Sequence, residues 1–244
     1  MKTVFLGDTH GRSIWKDIIK AENPDRVIFW GDYFDSFNIP GVSQIRNFKD
    51  IIEFKENTDK EVIMLIGNHD HHYMDAGETY SGHQAALHWD IHDMLKQNKH
   101  HLQAAYQLDN IICTHAGLSP VWLSHCLPGW QHENVVELVN DLFTYHPQRF
   151  NFSQDGWDPY GDHGSQGPFW IRPRSLMSAN KGEKGFKKDY IQVVGHTQVT
   201  NIIDSFEATK KSMGAKYYLI DALDSNGYVV YQDGQLTPSI IDIM

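Results

Sequence analysis

A short apolar run that stops abruptly at polar residues recurs five times: TVFLGDTHG (3–11), RVIFWGDYFDS (26–36), EVIMLIGNHD (61–70), NIICTHAGL (110–118) and IQVVGHTQV (191–199). Such runs, rich in β-branched residues and bounded by glycine, read as strands buried on both faces. Their spacing is irregular, so they are not a sequence repeat. Between them lie helical patterns. Residues 13–23 turn Ile14, Ile18 and Trp15 inward, and 43–57 place Ile45, Phe48 and Ile52 on one face. Residues 83–106 read as one or two helices, and 133–146 carry Val135, Val139, Leu142 and Phe143 at helical spacing. Strand–helix alternation predicts an α/β fold. Residues 147–170 have no period and read as a long irregular loop at the rim of a site. The C-terminal stretch, with SNG and DGQ as turns, reads as an antiparallel meander. No linker composition interrupts the 244 residues, which are expected to form a single domain, 1–244.

Composition narrows the function classes. With 41% hydrophobic and 21% charged residues, the chain reads as a soluble globular protein. A formal net charge of −10 argues against stable nucleic-acid binding, which rests on basic surface. A small phosphorylated substrate in a locally positive site is compatible with it. No run approaches the roughly 18 apolar residues of a membrane span, so no membrane partner is expected. The apolar start reaches Asp8 and His10 too soon for a signal peptide. Cys113 and Cys126 form no CxxC and no disulfide framework. The expected location is the cytoplasm.

In α/β sheets, sites form beyond the carboxyl ends of the strands. The five tips would bring Asp8, His10, Asp32, Asn68, His115 and His196 along one edge, each beside a glycine that lets the backbone turn or approach closely. Imidazole, carboxylate and amide oxygen together suit divalent transition metals. Six ligands are too many for one catalytic ion with an open position. They suit two metals sharing a carboxylate, roughly 3.5–4 Å apart. Read singly, each residue is an ordinary turn former or cap; the functional reading rests on the set.

The ordered motifs GDTHG, GDYFD, GNHD, THAGL and GHT, spanning residues 7–197, resemble the signature of the calcineurin-like metallophosphoesterases. The form THAGLSP followed by GHT is most similar to the phosphoprotein-phosphatase branch, which includes phage and bacterial Ser/Thr phosphatases and symmetrical dinucleoside tetraphosphatases. The resemblance implies an αββα sandwich of two mixed sheets flanked by helices. It implies that Asp8 and His10 hold a first metal, Asp32 bridges, and Asn68, His115 and His196 hold the second. It implies Mn²⁺ first, with Fe, Zn, Ni or Co as substitutes. It makes His69 the general acid and Asp70 its orienting partner. FWIRP (169–173) resembles the segment that supplies a phosphate-binding arginine, here Arg172.

The implied activity is that of a phosphomonoesterase, similar to a protein Ser/Thr phosphatase, in which a metal-bridging hydroxide attacks phosphorus. Its substrates would be a phosphoprotein, a nucleotide or a small phosphoester. One departure keeps a second reading open. The branch usually has Arg-Gly after GDxxD, whereas Ser36 and Phe37 stand here. The alternatives are a dinucleoside polyphosphate hydrolase or a phosphodiesterase, with Arg12, Arg172 or Arg174 as substitute cation. A catalytically inactive scaffold is the third reading, although no ligand position is lost. Gln198, where another branch has a histidine ligand, favours the phosphatase-like branch. Asp35 reads equally as a residue orienting a ligand or as a helix cap. His71 and His72 read as rim or surface residues. His83, His88, His92, His100 and His101 read as surface or satisfied core. The Asp-rich stretch 155–164 lacks the alternating ligands of a calcium loop.

Overall fold

The five polar-tipped runs form strands of two separate sheets. A computed structural model of the chain describes residues 1–153, 162–181, 185–186, 189–213 and 216–242. Most of the Asp-rich stretch lies outside the described residues. The first sheet is built on three parallel strands, β1 (Thr3–Leu6), β2 (Arg26–Phe29) and β3 (Glu61–Leu65), linked by helices α1 (Trp15–Glu22) and α2 (Gly41–Asn57). After the one-turn helix α3 (Asn68–His71) and α4 (His88–Gln97), the short β4 (Leu102–Gln103) completes one edge. The second sheet has the order β5 (Ala105–Leu108), β6 (Ile111–Thr114), β7 (Ile191–Gln198) and β8 (Tyr217–Asp221). Between β6 and β7 run α5 (Pro120–Cys126), α6 (Val135–Tyr145) and α7 (Pro173–Ala179), and α8 (Ile202–Met213) precedes β8. The chain then returns to the first sheet as β9 (Gly227–Gln232) and β10 (Gln235–Ile240), where β9 pairs antiparallel to β1.

Alternation along the strands builds the layers. In β1, Phe5 packs between the sheets with Ile28, Trp30, Leu65, Cys113, Val193 and Ile220. Val4 and Leu6 point the other way, into a cluster with Ile18 of α1 and Phe48 of α2. Both faces of β1 are therefore dry, which is why its sequence is a continuous apolar run. Burying each such side chain contributes about 1.5–3 kcal/mol. On the far side, Val194 of β7 packs against Leu176 of α7. The result is two mixed sheets flanked by helices, as the resemblance implies.

Three expectations are corrected. The strand tips lie on two sheets rather than one edge. The C-terminal strands are not one meander, because β8 pairs with β7 in the second sheet while β9 and β10 form a hairpin in the first. Of the two expected turns, DGQ closes a hairpin and SNG does not: Asp233 and Gly234 both have positive φ, the primed two-residue turn. The helical reading of 83–106 ends at Gln97 apart from a 3₁₀ turn, since 102–103 and 105–108 extend into strands. In α2, Phe48 and Ile52 are buried and Ile45 is half-buried against the same cluster, as the spacing predicts, and Ile51 joins them. The helix at 135–145 buries the four residues its spacing predicts.

Candidate metal centre

β1, β2 and β3 end beside the ends of β6 and β7, and Trp30 ties the two sheets together. Its indole donates to the Thr114 carbonyl at 2.9 Å, and its own carbonyl accepts from His115 Nδ1 at 2.9 Å. That second bond leaves His115 Nε2 facing the cleft, 3.0 Å from Asn68 Oδ1 and 3.3 Å from Asp32 Oδ2. His10 is oriented in the same way: Nδ1 donates to the Phe34 carbonyl at 2.5 Å, and Nε2 lies 3.8 Å from the same Asp32 Oδ2. A ring nitrogen fixed on a carbonyl sets the tautomer and frees the other nitrogen as a ligand.

Two donor groups share one carboxylate. Asp8, His10 and Asp32 form one; Asp32, His115 and His196 form the other. Asn68 Oδ1, 2.9 Å from His196 Nδ1, joins the second. The structure thus brings together all six sequence-predicted ligands around Asp32. β7 does not stop before its polar tip. It runs on through His196, with a register shift between Val194 and Gln198 that re-aims the strand. Of eight described non-glycine residues with left-handed φ, four are His10, Asp32, Asp35 and His196. Each such conformation costs about 1 kcal/mol or more and persists where its surroundings enforce it.

The electrostatics of the cleft residues fit cations. Burial, with the charges of Asp221 and Asp32, pushes the Asp8 carboxyl well up. Burial and Asp32 raise Asp70 to about 8 and Asp221 to about 7. Asp32 itself goes the other way: burial would raise it, but His115 and His69 outweigh that and hold it well down. The cleft crowds more buried carboxylate than it can keep ionised without added positive charge. His196 Nε2 is buried with no hydrogen-bond partner among the described residues. The donor set, the shared carboxylate and this charge deficit all match two divalent ions.

His69 lies beside the donor groups, whereas Asp70 is placed differently from expectation. The His69 amide donates to Asp32 Oδ1 at 2.9 Å, which sets the residue against the donor groups. Its ring is held by Asp35, with Nδ1 3.0 Å from Oδ2. Asp70 instead accepts three backbone N–H groups, from Asp32 and Gly67 on Oδ2 and from Tyr33 on Oδ1, at 2.7–2.9 Å. It fastens the β2 and β3 turns to each other and forms no hydrogen bond with the His69 ring. Asp35 is the better-connected carboxylate. Oδ1 accepts from Tyr73 Oη at 2.6 Å and Gln84 Nε2 at 3.1 Å, and His72 Nε2 lies 2.5 Å from Oδ2. Burial pushes the Asp35 carboxyl up, but the bonds from His69 and His72 outweigh it and bring its pKa to about 2. Burial lowers His69, and the charges of Asp32 and Asp35 overcome that and raise it to about 9.

His71 and His72 are not rim residues; both are buried. His71 packs against Phe143 and Phe169, and burial lowers its pKa to about 4. The sequence did carry a signal for His72 and Tyr73. They follow His69 at i+3 and i+4, one face of a helical turn. Asp221 ends the apolar run YYLI, the same signal as the other tips, and Gln84 had none. Arg172 Nη1 donates to the His196 carbonyl at 3.2 Å and to Thr197 Oγ1 at 3.3 Å, which holds it beside the second donor group. Arg12 pairs with Asp224, and Arg174 is exposed. After Asp35, Ser36 Oγ closes a turn by accepting from Asn38 and Ile39, and Phe37 is 83% exposed.

Comparison with known proteins gives the same picture. The sequence matches the calcineurin-like phosphoesterase family over residues 1–222. Among curated proteins none matches. The fold is similar to a cold-active protein-tyrosine phosphatase from a psychrophilic Shewanella species, with 16% identity and a TM-score of 0.59 over 98% of this chain and 77% of that one. It is also similar to a metallophosphoesterase from Sphaerobacter thermophilus, with 11% identity and a TM-score of 0.51 over 100% of this chain and 90% of that one. At these identities the neighbours establish the fold. Among the described residues no helix is long and apolar enough to cross a membrane.

Proposed function

This chain belongs to the calcineurin-like phosphoesterase family, and from that premise we propose that it is a phosphomonoesterase dependent on two divalent cations, Mn²⁺ first among them. The observation that carries the reading is the sharing of Asp32 between two donor groups, with His69 anchored on that same carboxylate. Asp8, His10 and Asp32 would hold one cation; Asp32, Asn68, His115 and His196 the other. When bound, the cations supply an acidified water and draw charge from the phosphoryl oxygens.

The chain's own residues supply the rest. Arg172, fixed beside His196, binds a phosphoryl oxygen and holds the substrate in register. His69 presents Nε2 to the leaving oxygen because Asp35 occupies Nδ1. It donates the proton that a poor alkoxide leaving group needs. Asp35, Tyr73 and Gln84 keep the ring in that orientation, and Asp70 keeps the β2 and β3 turns closed around Asp32.

A second reading rests on the turn after Asp35, which offers no cation to a phosphate. A diester or a dinucleoside polyphosphate carries less charge per phosphorus than a monoester dianion and needs fewer cationic contacts. The test is a substrate panel assayed with Mn²⁺: phosphoserine and phosphotyrosine peptides, nucleotides, a diester and a dinucleoside polyphosphate, compared by kcat/KM. Highest kcat/KM on a monoester supports the proposal. Preference for the diester or dinucleoside polyphosphate replaces it with the second reading. Absence of hydrolysis by folded, metal-loaded protein rejects both.

A further inference from the structure

We propose that His72 is a positioning residue for the reaction, acting through Asp35 on the His69 ring. The inference rests on the acid role of His69 and goes beyond it. His69, His72 and Tyr73 are spaced i, i+3 and i+4 around one helical turn, and all three converge on the same buried carboxylate. Asp35 thereby receives His69 Nδ1 and His72 Nε2 on Oδ2, and Tyr73 Oη and Gln84 Nε2 on Oδ1. The approach of His72 Nε2 to Oδ2 is a close polar contact at 2.5 Å that is not aligned as a hydrogen bond.

Two observations separate this from ordinary core packing. Both His72 ring nitrogens are buried and neither is aligned for a hydrogen bond with a described residue, so the 2.5 Å contact of Nε2 with Asp35 Oδ2 is the polar contact the ring makes there. A histidine held in the interior at the expense of a bare nitrogen is an unfavourable filler. Second, the atom it approaches is the oxygen that binds His69, not the oxygen that binds Tyr73 and Gln84. Removing His72 frees that oxygen to rotate away from His69 Nδ1. Asp35, His69 and His72 also form a donor set of a type that cations take. Four polar groups already surround Asp35, however, and a cation there would occupy the nitrogen that Asp35 uses to hold the acid.

The test separates proton donation from general damage by varying the leaving group. Wild type, His69→Asn, His72→Phe and His72→Gln are loaded with Mn²⁺ and assayed on an alkyl phosphate and on 2,4-dinitrophenyl phosphate, whose leaving group needs no proton. His72→Phe keeps the ring volume and loses the polar contact. It should lower kcat on the alkyl ester by about 10–100-fold, within the range general acids contribute. On the dinitrophenyl ester the loss should be far smaller, with KM and the two metal equivalents retained. His72→Gln, which keeps an N–H near the position of Nε2, should recover most of the loss. If His72→Phe does not fold by thermal unfolding, His72→Asn, too short to reach Asp35, takes its place. Equal loss on both esters, no loss on either, or a third metal equivalent that disappears with His72 overturns the proposal. If His69→Asn shows no leaving-group dependence, the acid role and this inference fall together. If His69→Asn shows it and His72→Phe does not, only the inference falls.

Discussion

Asp35 holds His69: the ring Nδ1 stands 3.0 Å from Oδ2, while the His69 amide is fixed on Asp32. One residue is thus tied to the donor groups by its backbone and to a separate carboxylate by its side chain. If the two act as a unit, His69→Asn and Asp35→Asn should each lower kcat on an alkyl phosphate by about 10²–10⁴-fold. The double variant should be little worse than either single one. Asp70→Asn should behave differently. Replacing one acceptor oxygen of the group that binds three backbone N–H donors should cost about 1–3 kcal/mol of stability. Urea unfolding beside steady-state kinetics distinguishes the two carboxylates.

The shared position of Asp32 predicts a pattern of metal loss. His10→Ala should leave one equivalent of Mn²⁺ and His115→Ala the other, whereas Asp32→Ala should weaken both. Elemental analysis after gel filtration reads this directly. Chelation of the wild type should abolish hydrolysis and lower the melting temperature, because ions that bind only the folded state stabilise it by mass action. Full activity after chelation would refute the metal centre.

The ion-free protein should lose stability as pH rises from about 6.5 to about 9. His69, Asp70 and Asp221 have folded-state pKa values raised to about 9, 8 and 7. An unfolded histidine releases its proton near pH 6.5 and an unfolded carboxyl near pH 4. In this window the folded chain holds protons that the unfolded chain has released, so stability falls as pH rises. For His69 the contribution is fully present below about pH 6.5 and is lost through pH 9, on the order of 3 kcal/mol. Asp35, lowered to about 2, contributes in the opposite sense: its share is present above pH 4 and lost as pH falls through 2. Urea midpoints of chelator-treated protein across pH 6.5–9 test the first slope, and saturating Mn²⁺ should flatten it.

The convergence of the candidate donor residues was legible because each ends an apolar run, and a buried strand leaves its first polar side chain at the sheet's edge. The division of those strands between two sheets was not legible from periodicity. β3 and β6 are alike in pattern, and their neighbours separate them: β2 and β4 flank β3, while β5 and β7 flank β6. The partner of His69 was misread because Asp70 is its neighbour in sequence. On α3, consecutive residues point to different sides, and Asp35 reaches the ring from 34 residues away. His71 and His72 looked exposed because they follow a strand tip. They are covered by residues such as Phe143, Phe169 and His83, whose approach no local pattern encodes.

Glycines beside the tips give a last prediction, and the reason is close approach rather than backbone freedom. Gly67 has an extended backbone, φ −108°, which any residue can adopt. A Cβ there would collide with the Asp32 carboxylate and with His115 Cε1. At Gly195 a Cβ would collide with the Asp8 carboxylate. Both collisions fall on candidate ligands, so alanine must displace them. Overpacking of this kind costs about 1–3 kcal/mol. Gly67→Ala displaces the carboxylate shared by both donor groups and should weaken both metal equivalents; Gly195→Ala should weaken chiefly the one held by Asp8 and His10. Gly234→Ala, at an open hairpin turn where a Cβ meets nothing within 4 Å, is the control. It bears only the strain of its positive φ and should keep both metals. Isothermal titration with Mn²⁺ on the three variants decides. Equal affinities in all three would mean that the glycines do not set the spacing of the site.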